Sequence, residues 1–410
     1  MEPGRYRETQ ALFARAQRVV PGGIYGHPAP AMLVPGKYPY FFARGAGAHI
    51  WDVDGNEYVD LMCSYGPIVL GHNHPRVDDA AQRQAAQGNC FNGPGPIWVA
   101  LAERLVALTP WADWVVYAKN GSDVCTWAVN VARHATGRRK VLVAEGSYHG
   151  GHAWCAPVTN GTTAEDRVHV VPFRYNDLAS VDAALAAHAG DVAAIMVTPF
   201  RHDTHRDQEL PAPEFLPGLR ARCDRLGACL VMDDVRAGFR LHLGGSGERF
   251  GVQPDLACYS KAIANGYPLS ACLGREALRD AAKRVFFVGT YWTAAVPMAA
   301  ALACIDELEE SDAIAHMERM GTALRAGIER QAAAHGLAIR CSGPPAIPFM
   351  TFVDDEGFAE SRRFAAACAA HGVYLHPHHN WFLSAAHGEG EIGRVLEATE
   401  AAFREVAEAR

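Results

Sequence analysis

The sequence predicts an α/β fold in which a mainly parallel β-sheet is covered by helices on both faces. Two observations predict it: short, nearly uninterrupted apolar runs recur between about residues 100 and 290, and helix-like patterns separate them. Strands buried on both faces read as continuous apolar runs, whereas half-exposed strands alternate. The runs are Trp114–Tyr117, Val141–Val143, Ala193–Val197, Ala228–Met232 and Leu256–Tyr259.

The rest of the chain predicts a smaller α+β domain and a segment that packs near it. Residues 1–45 contain an amphipathic stretch and a Pro- and Gly-rich run that forms turns. His49–Val53 and Glu57–Leu61 flank a glycine-bearing turn and predict a β-hairpin. After residue 295 the sequence is Ala-rich and helical, with a strand-like run at Phe349–Val353. We therefore expect three parts, 1–45, a large domain over 46–295 and a small domain over 296–410.

Composition excludes several classes of protein. The chain has 410 residues, of which 49% are hydrophobic and 20% charged, and this excludes disorder. The net charge is −7, without a basic stripe, so neither nucleic acid nor an anionic membrane is expected as a partner. No apolar window long enough for a membrane span or signal peptide occurs. We expect a cytoplasmic protein.

The eleven cysteines are scattered and include no Cys-x-x-Cys pair, which argues against a zinc ribbon or a thioredoxin-type site. We interpret them as small buried apolar residues in a reducing compartment. We expect no catalytic role for them and no metal site.

Polar residues after the apolar runs predict the functional site, because ligands of open parallel sheets bind beyond the carboxyl ends of the strands. Asn120-Gly121-Ser122-Asp123 follows the first run and precedes a helical pattern. A glycine and a hydroxyl at a helix N-terminus form a phosphate cradle, since free N–H groups and the helix dipole favour an anion. The same residue types are also ordinary N-caps, so both interpretations stay open.

A carboxylate and a lysine follow two later runs. Asp233 ends a buried strand and needs a cationic partner, which a pyridinium nitrogen or an ordinary salt bridge would supply. Lys261 follows the strand Leu256–Tyr259, where desolvation would lower its pKa and favour the neutral amine of a Schiff base. Alone, it also reads as a surface cation. Cradle, carboxylate and lysine together predict a pyridoxal phosphate site.

Further motifs extend over nearly the whole chain: Val20–Gly23, Trp51–Asp60, Leu70–Pro75, Glu145–Gly150, Asp233–Arg240, Ser260–Ile263 and Gly289–Trp292. With them the sequence resembles the fold-type I, class-III aminotransferases that use pyridoxal 5′-phosphate, in particular the glutamate-1-semialdehyde aminomutase branch. The resemblance implies a large domain with a mainly parallel, seven-stranded sheet, a smaller α+β C-terminal domain, and a homodimer with shared active sites.

The resemblance also implies roles for single residues. Lys261 would form the Schiff base and move the proton, and Asp233 would keep the pyridine nitrogen protonated. Gly121 and Ser122 would bind the phosphate. The remaining implied contacts are Tyr148 stacked on the ring, His149 nearby, Val235 on the opposite face, and Thr290 on the phosphate of the partner subunit's cofactor.

Three segments depart from the family pattern. Thr198 stands where a glutamate is common, and the polar stretch 201–209 replaces a Gly-rich loop. That stretch reads either as a solvated loop or as a source of acids that face a cationic substrate. Residues 25–31 lack the arginine that clamps a substrate carboxylate, and the family's C-terminal glutamate is missing near residues 376–382. Aminomutase activity on a semialdehyde amino acid is therefore not favoured.

Residues near these departures are our candidate substrate contacts: Tyr25, His27, His379 and Trp381. Tyr25 and Trp381 offer stacking faces for a sugar ring or another group without a carboxylate. His376, His378 and His379 form a histidine cluster, which Pro377 interrupts. No acid or cysteine completes a ligand set there, which disfavours a metal site. Arg236 and Arg240 are candidates for a donor carboxylate.

The sequence thus predicts an aminotransferase that moves an amino group, from a small-molecule donor, to an aldehyde or ketone of a polar acceptor that is not an amino acid. An amino sugar or aminoglycoside intermediate is our specific hypothesis. The alternative is an isomerase, either an aminomutase or an epimerase, which uses the same Lys261 proton transfer without a keto acid. A nicotinamide enzyme is disfavoured because no Gly-x-Gly-x-x-Gly follows a strand.

Overall fold

The computed structural model describes residues 5–26 and 29–410, which form a mixed α/β structure with two compact units. We call Pro75–Asp203 together with Gln208–Ile314 the sheet unit. Residues up to His74, Thr204–Asp207 and Ala315–Arg410 form the terminal unit. The division predicted from the sequence, at residues 45 and 295, stays a prediction.

The strands are short, as is usual in globular proteins. They are β1 (Phe42–Ala46), β2 (His49–Asp52), β3 (Glu57–Asp60), β4 (Trp114–Ala118), β5 (Lys140–Ala144), β6 (Val170–Phe173), β7 (Val192–Val197), β8 (Cys229–Asp233), β9 (Leu256–Tyr259), β10 (Ser270–Gly274), β11 (Ile339–Ser342), β12 (Phe349–Phe352) and β13 (Val373–Tyr374).

The helices range from single turns to 22 residues. They are α1 (Arg7–Ala16), α2 (Pro30–Leu33), α3 (Pro75–Gln87), α4 (Ile97–Leu108), α5 (Gly121–Thr136), α6 (Ala164–Arg167), α7 (Leu178–Ala187), α8 (Phe215–Leu226), α9 (Ser246–Arg249), α10 (Arg279–Arg284), α11 (Ala295–Glu310), α12 (Ala313–Ala334), α13 (Ala359–Ala370) and α14 (Glu389–Glu408). Within the described ranges, none of these helices has both the length and the apolar character that crossing a membrane requires.

Seven strands of the sheet unit form one sheet, in the order β4-β10-β9-β8-β7-β5-β6. β10 runs antiparallel to β4 and β9, and the other neighbouring strands are parallel. Every residue of β7, β8, β9 and β10 is buried, as expected for strands covered on both faces. The predicted mainly parallel, seven-stranded sheet is confirmed. β4, β8 and β9 therefore end at the same edge.

Helix α5 anchors the core of the sheet unit and begins at this edge. Its residues Val124, Trp127 and Val131 are almost fully buried, and the Trp127 ring meets Trp114 of β4 edge to face at 5.9 Å. Such aromatic pairs add to the gain from burying apolar area. Because β4 and α5 are joined by two residues only, this packing fixes the N-terminus of α5 just beyond the sheet.

The terminal unit contains a four-stranded sheet in the order β1-β2-β3-β13 and the hairpin β11-β12. The β-hairpin predicted from the sequence forms as β2 and β3, and β13 pairs parallel to β3. Helices α13 and α14 pack together through Phe364 and Phe403, whose ring centroids are 4.7 Å apart. This core supports the segment that follows β13, which carries the histidine cluster.

Candidate cofactor site

The carboxyl edge of the seven-stranded sheet brings together most of the predicted site residues. Asp233 is the last residue of β8, Lys261 follows β9 after one residue, and Gly121 opens α5. Ser122, Tyr148, His149 and Val235 are neighbours of these residues. This convergence follows from the strand order, since neighbouring parallel strands end side by side. The individual roles implied by the resemblance stay predictions.

Asp233 is held by two hydrogen bonds in a nearly buried position. His149 Nδ1 donates to Asp233 Oδ2 at 2.7 Å, and the Val235 N–H donates to Asp233 Oδ1 at 3.1 Å. The second ring nitrogen of His149 lies 3.0 Å from Ser147 Oγ. Asp233 and His149 are 5% and 3% exposed, so the carboxylate is oriented but largely removed from water. Such a carboxylate suits a cationic ring nitrogen.

Lys261 lies in a strained and desolvated place. Its φ of 50° is in the left-handed region, which is costly for a residue with a side chain and is common at functional sites. Ser260 fixes the turn by donating from Oγ to the Leu269 carbonyl at 3.0 Å. Burial, followed by the charge of Arg236, lowers the pKa of Lys261 to about 7, although Asp233 opposes this shift. The amine is thus available in its neutral form near neutral pH.

The N-terminus of α5 is capped, and a glycine there allows a neighbouring side chain to approach its backbone closely. Asn120 and Asp123 form a capping box, with the Asn120 N–H donating to Asp123 Oδ2 at 2.9 Å, so the N-cap interpretation is correct. A Cβ at Gly121 would lie 2.8 Å from Val235 Cγ1, which is too close for a larger residue. The first N–H groups of a 16-residue helix have no intrahelical acceptors and favour an anion. The phosphate-binding role of this motif stays a prediction.

A second glycine, Gly150, lets the loop after β5 approach the N-terminus of α5 closely. Gly150 has a φ of 125°, and a Cβ there would lie 2.4 Å from Ser122 Oγ. Ser122 Oγ accepts the N–H of Gly151 at 3.0 Å. These contacts place the Tyr148–Gly151 loop against the start of α5. The cradle, the desolvated amine and the oriented carboxylate together fit pyridoxal phosphate.

The polar stretch that follows β7 is partly folded into the sheet unit. Arg201 pairs with Glu209 at 2.9 Å and lies 3.6 Å from Asp203, while His202 is only 7% exposed. Burial, followed by the charges of Arg236 and Lys261, lowers the pKa of His202 well below its usual value. The solvated-loop interpretation is therefore wrong for this part of the stretch. His202 was missed because nothing in its sequence neighbourhood predicts burial.

The remaining predicted residues of the sheet unit differ in exposure. Thr290 is exposed, and its contact with the partner subunit's cofactor stays a prediction. Burial raises the pKa of Tyr148, whose electrostatic neighbours include Arg236 and Asp233. Arg236 and Arg240 are both buried.

The candidate substrate residues lie in the terminal unit. Tyr25 is 85% exposed, and His27 is outside the described residues. Trp381 is 2% exposed, with its indole N–H donated to the His376 carbonyl at 3.0 Å, so it has a packing role. His379 is buried and meets Tyr65 edge to face at 5.3 Å. Their contacts with substrate stay predictions.

The chain resembles known proteins over almost all of its length. Residues 34–386 match the family described as aminotransferase class-III. An aminopentol aminotransferase of Sphingopyxis macrogoltabida is 46% identical over 395 residues, 96% of this chain and 93% of that protein. A 3-aminobutyryl-CoA aminotransferase of Cloacimonas acidaminovorans (strain Evry) is 34% identical over 403 residues, 97% of each.

A solved structure is also similar to this chain over almost its full length. The pyridoxal phosphate internal aldimine form of a FumI protein from Sphingopyxis sp. MTA144 matches with a TM-score of 0.96 at 46% identity, covering 98% of this chain and 97% of that one. These likenesses confirm the predicted fold type and pyridoxal 5′-phosphate as the cofactor.

Proposed function

The chain belongs to the class-III aminotransferases, and we propose that it moves an amino group between a hydroxyl-rich aliphatic amine and a keto acid. Transamination is reversible, so the polar carbonyl acceptor expected from the sequence and the amine are two states of one substrate. The likeness to an aminopentol aminotransferase over 96% of the chain carries this proposal. An amino sugar belongs to the same class of hydroxyl-bearing amines.

The charges near Lys261 support an amine substrate without a carboxylate. Burial lowers the pKa of Arg236 to about 10, while Asp233 and Asp203 act in the opposite direction. We assign Arg236 and Arg240 to the carboxylate of the keto acid, because a buried guanidinium can pair with it. When the amine substrate, which has no carboxylate, occupies the site, Asp233 and Asp203 remain to balance the charge of Arg236. Asp203 adds negative potential that favours an ammonium group.

We propose that the sheet unit holds the cofactor at the carboxyl edge. Gly121 and Ser122 would bind its phosphate, Tyr148 and Val235 would cover the two ring faces, and Asp233 would bind the ring nitrogen. When bound, pyridoxal phosphate supplies a carbonyl carbon and an electron-accepting ring. Within the protein, His149 orients Asp233 through the 2.7 Å hydrogen bond.

Lys261 is the proposed proton carrier. General acid–base catalysis is most effective when the pKa of the group lies near the working pH. A pKa of about 7 allows Nζ to accept a proton and to release it in the same cycle. Desolvation produces this value, so exclusion of water from the Lys261 pocket is part of the catalytic arrangement.

The first test follows the visible absorption band of the holoenzyme's cofactor. We expect 1-amino-1-deoxy-D-glucitol, a six-carbon amine with five hydroxyls, to deplete the band, and a keto acid from a panel of pyruvate, 2-oxoglutarate and oxaloacetate to restore it. Glutamate and alanine are the comparison donors, and n-hexylamine is the matched amine without hydroxyls.

Three results would contradict the proposal in different ways. Depletion by glutamate or alanine alone would refute the hydroxyl-rich substrate and leave the family assignment intact. Migration or epimerisation of the amino group without a keto acid would favour the isomerase. A protein without a visible cofactor band would refute the proposed role of Lys261.

We also propose a homodimer, supported by exposed apolar side chains beside Thr290. Phe286, Val288 and Tyr291 are 90%, 69% and 65% exposed in a single chain. Neighbouring exposed apolar residues commonly mark an interface. In a two-fold dimer each substitution occurs twice, so Phe286→Glu buries two charges.

We expect Phe286→Glu to weaken dimerisation by at least about a hundredfold, measured by light scattering and sedimentation across a dilution series. Val168→Glu is the matched control, because Val168 is 55% exposed at the end of α6. Equal dimerisation of both variants would show that the Phe286 surface is not the interface.

A further inference from the structure

The turn that follows β5 places a hydroxyl group beside His149. Gly146 has a φ of 78°, a left-handed value that glycine adopts without a steric penalty. The Ser147 N–H donates to the Ala144 carbonyl at 3.1 Å and closes the turn. The Ser147 hydroxyl donates to the same carbonyl at 2.7 Å. This side chain is therefore fixed to the end of β5, and its Oγ lies 3.0 Å from His149 Nε2.

The His149 ring lies between this hydroxyl and the Asp233 carboxylate. Its Nδ1 is 2.7 Å from Asp233 Oδ2, and the residue is 3% exposed. A carboxylate only accepts hydrogen bonds, so Nδ1 must carry a proton in order to donate to it. With Nδ1 committed in this way, Nε2 is bare when the ring is neutral and protonated when the ring is charged. The partner of Nε2 must therefore suit both states.

A hydroxyl group suits both states of Nε2, because it can donate one hydrogen bond and also accept. When Nε2 is protonated, Ser147 Oγ accepts from it while the hydroxyl donates to the Ala144 carbonyl. When Nε2 is bare, the hydroxyl can rotate and donate to Nε2 instead. The Ala144 carbonyl keeps the Ser147 N–H as a donor in either case. His149 can thus change its charge and keep its hydrogen bond to Asp233.

We propose that Ser147 is a positioning residue of the cofactor site, whose hydroxyl holds the His149 ring so that its Nδ1–H faces Asp233. This inference rests on the proposed role of Asp233 and extends it to a residue that does not touch the cofactor. A carboxylate balances a protonated ring nitrogen best when its oxygens are held in one orientation by supporting hydrogen bonds. Ser147 provides the outermost of these bonds and connects them to the end of β5.

A cavity beside Ser147 decides which substitutions test this hydrogen bond. The cavity has a volume of about 340 Å³, and Ser147, His149, Trp154 and Cys155 are among the residues that line it. It has room for water, which could replace a deleted hydroxyl in Ser147→Ala. Threonine and valine have the same shape, and only threonine carries a hydroxyl. Ser147→Val and Ser147→Thr are therefore the matched pair of variants.

The test measures kcat and KM of the holoenzymes for 1-amino-1-deoxy-D-glucitol at a saturating keto acid concentration. We expect kcat of Ser147→Val to be about tenfold lower than kcat of Ser147→Thr, because one hydrogen bond of the supporting series is lost. KM should differ less than about twofold, since Ser147 is not proposed to touch the amine. Thr162→Val is the matched control, because Thr162 Oγ1 also donates to the carbonyl three residues earlier, that of Thr159, at 2.9 Å. This control should keep the parent's kcat.

Two further measurements separate positioning from a general disturbance of the loop. In the Asp233→Asn background, kcat of the Ser147→Val and Ser147→Thr variants should differ less than about twofold, because the effect passes through the Asp233 carboxylate. Release of the cofactor, followed by loss of the visible band on dilution, should be about three- to tenfold faster for Ser147→Val than for Ser147→Thr. Equal kcat of the two variants in the parent background, or the same difference in both backgrounds, would overturn the inference.

The proposed function can fail without this inference. If the glucitol amine does not deplete the cofactor band of the parent, the hydroxyl-rich substrate is refuted, and glutamate or alanine takes its place as donor in the same comparison. The release rates do not depend on the donor. Faster release from Ser147→Val would then still support the role of Ser147, and equal release from the two variants would overturn it.

Discussion

Replacing Lys261 with alanine is expected to lower kcat of the amine–keto acid reaction by about 10³–10⁵-fold. The variant removes the desolvated amine at the carboxyl edge of the sheet, where the proton is proposed to be exchanged. The contacts of Asp233 with His149 and Val235 do not involve Lys261 and should persist. The cofactor should therefore still bind, but without a covalent link.

The measurement combines steady-state rates with borohydride trapping and peptide mass mapping. In the parent, the trapped cofactor should map to the peptide that contains Lys261, and in the variant no label should appear there. Lys283→Ala is the matched control, because Lys283 is exposed and pairs with Asp280, at 3.3 Å, on the same helix turn. A Lys261→Ala enzyme that keeps a tenth of the parent rate would refute this assignment.

The pH dependence of cofactor uptake is a second test of the role proposed for Lys261. A lysine with a lowered pKa is charged below that value and neutral above it, and here the value is about 7. Only the neutral amine adds to a carbonyl. Uptake of the cofactor by apoenzyme should therefore accelerate as the pH rises through about 7 and level off above it. A rise centred near the ordinary lysine value would show that Lys261 is not desolvated.

The sequence predicts five of the seven strands of the large sheet. Five strands were recognisable because burial on both faces demands uninterrupted apolar residues. β6 and β10 were not: β6 is a short edge strand that contains Pro172, and Ser270–Gly274 of β10 includes a serine and ends in glycine. The antiparallel direction of β10 depends on its pairing with β4 and β9, which no local pattern encodes.

The site residues also differ in whether a local sequence pattern or tertiary packing determines their position. Asp233, Lys261 and Gly121 were identifiable because each follows a buried strand or opens a helix directly. His202 was not, because nothing in its own sequence neighbourhood predicts that packing buries it. For residues 201–209 the sequence left open a solvated loop or a source of acids that face a cationic substrate; packing buries His202 and Gln208, while Thr204, His205 and Arg206 are exposed.

The second large effect is expected for Asp233→Asn, which should lower kcat by about 10²–10⁴-fold at saturating cofactor. Asparagine keeps the size of the side chain, and its carbonyl oxygen can still accept from His149 Nδ1, but its amide would then face the Val235 N–H. It lacks the negative charge that would keep a ring nitrogen protonated. The loss should therefore appear in kcat for every amine tested, not in the preference among amines.

Asp234→Asn is the matched control, because it makes the same change at the neighbouring buried acid. Asp234 accepts from Ser246 N and Ser246 Oγ, both at 2.6 Å, and burial raises its pKa to about 7. Its amide oxygen can still accept from the Ser246 N–H, but the bond to the Ser246 hydroxyl must reverse its direction and the charge is lost, so this variant should lose stability, by about 1–3 kcal/mol. The molecules that stay folded should keep kcat within about tenfold of the parent, since the hydrogen bonds of the Asp234 side chain go to Ser246 and its charge acts on the site only through Asp233. If the two variants lost activity equally, the charge of Asp233 would have no special role, and the loss would come from the fold of the β8 end.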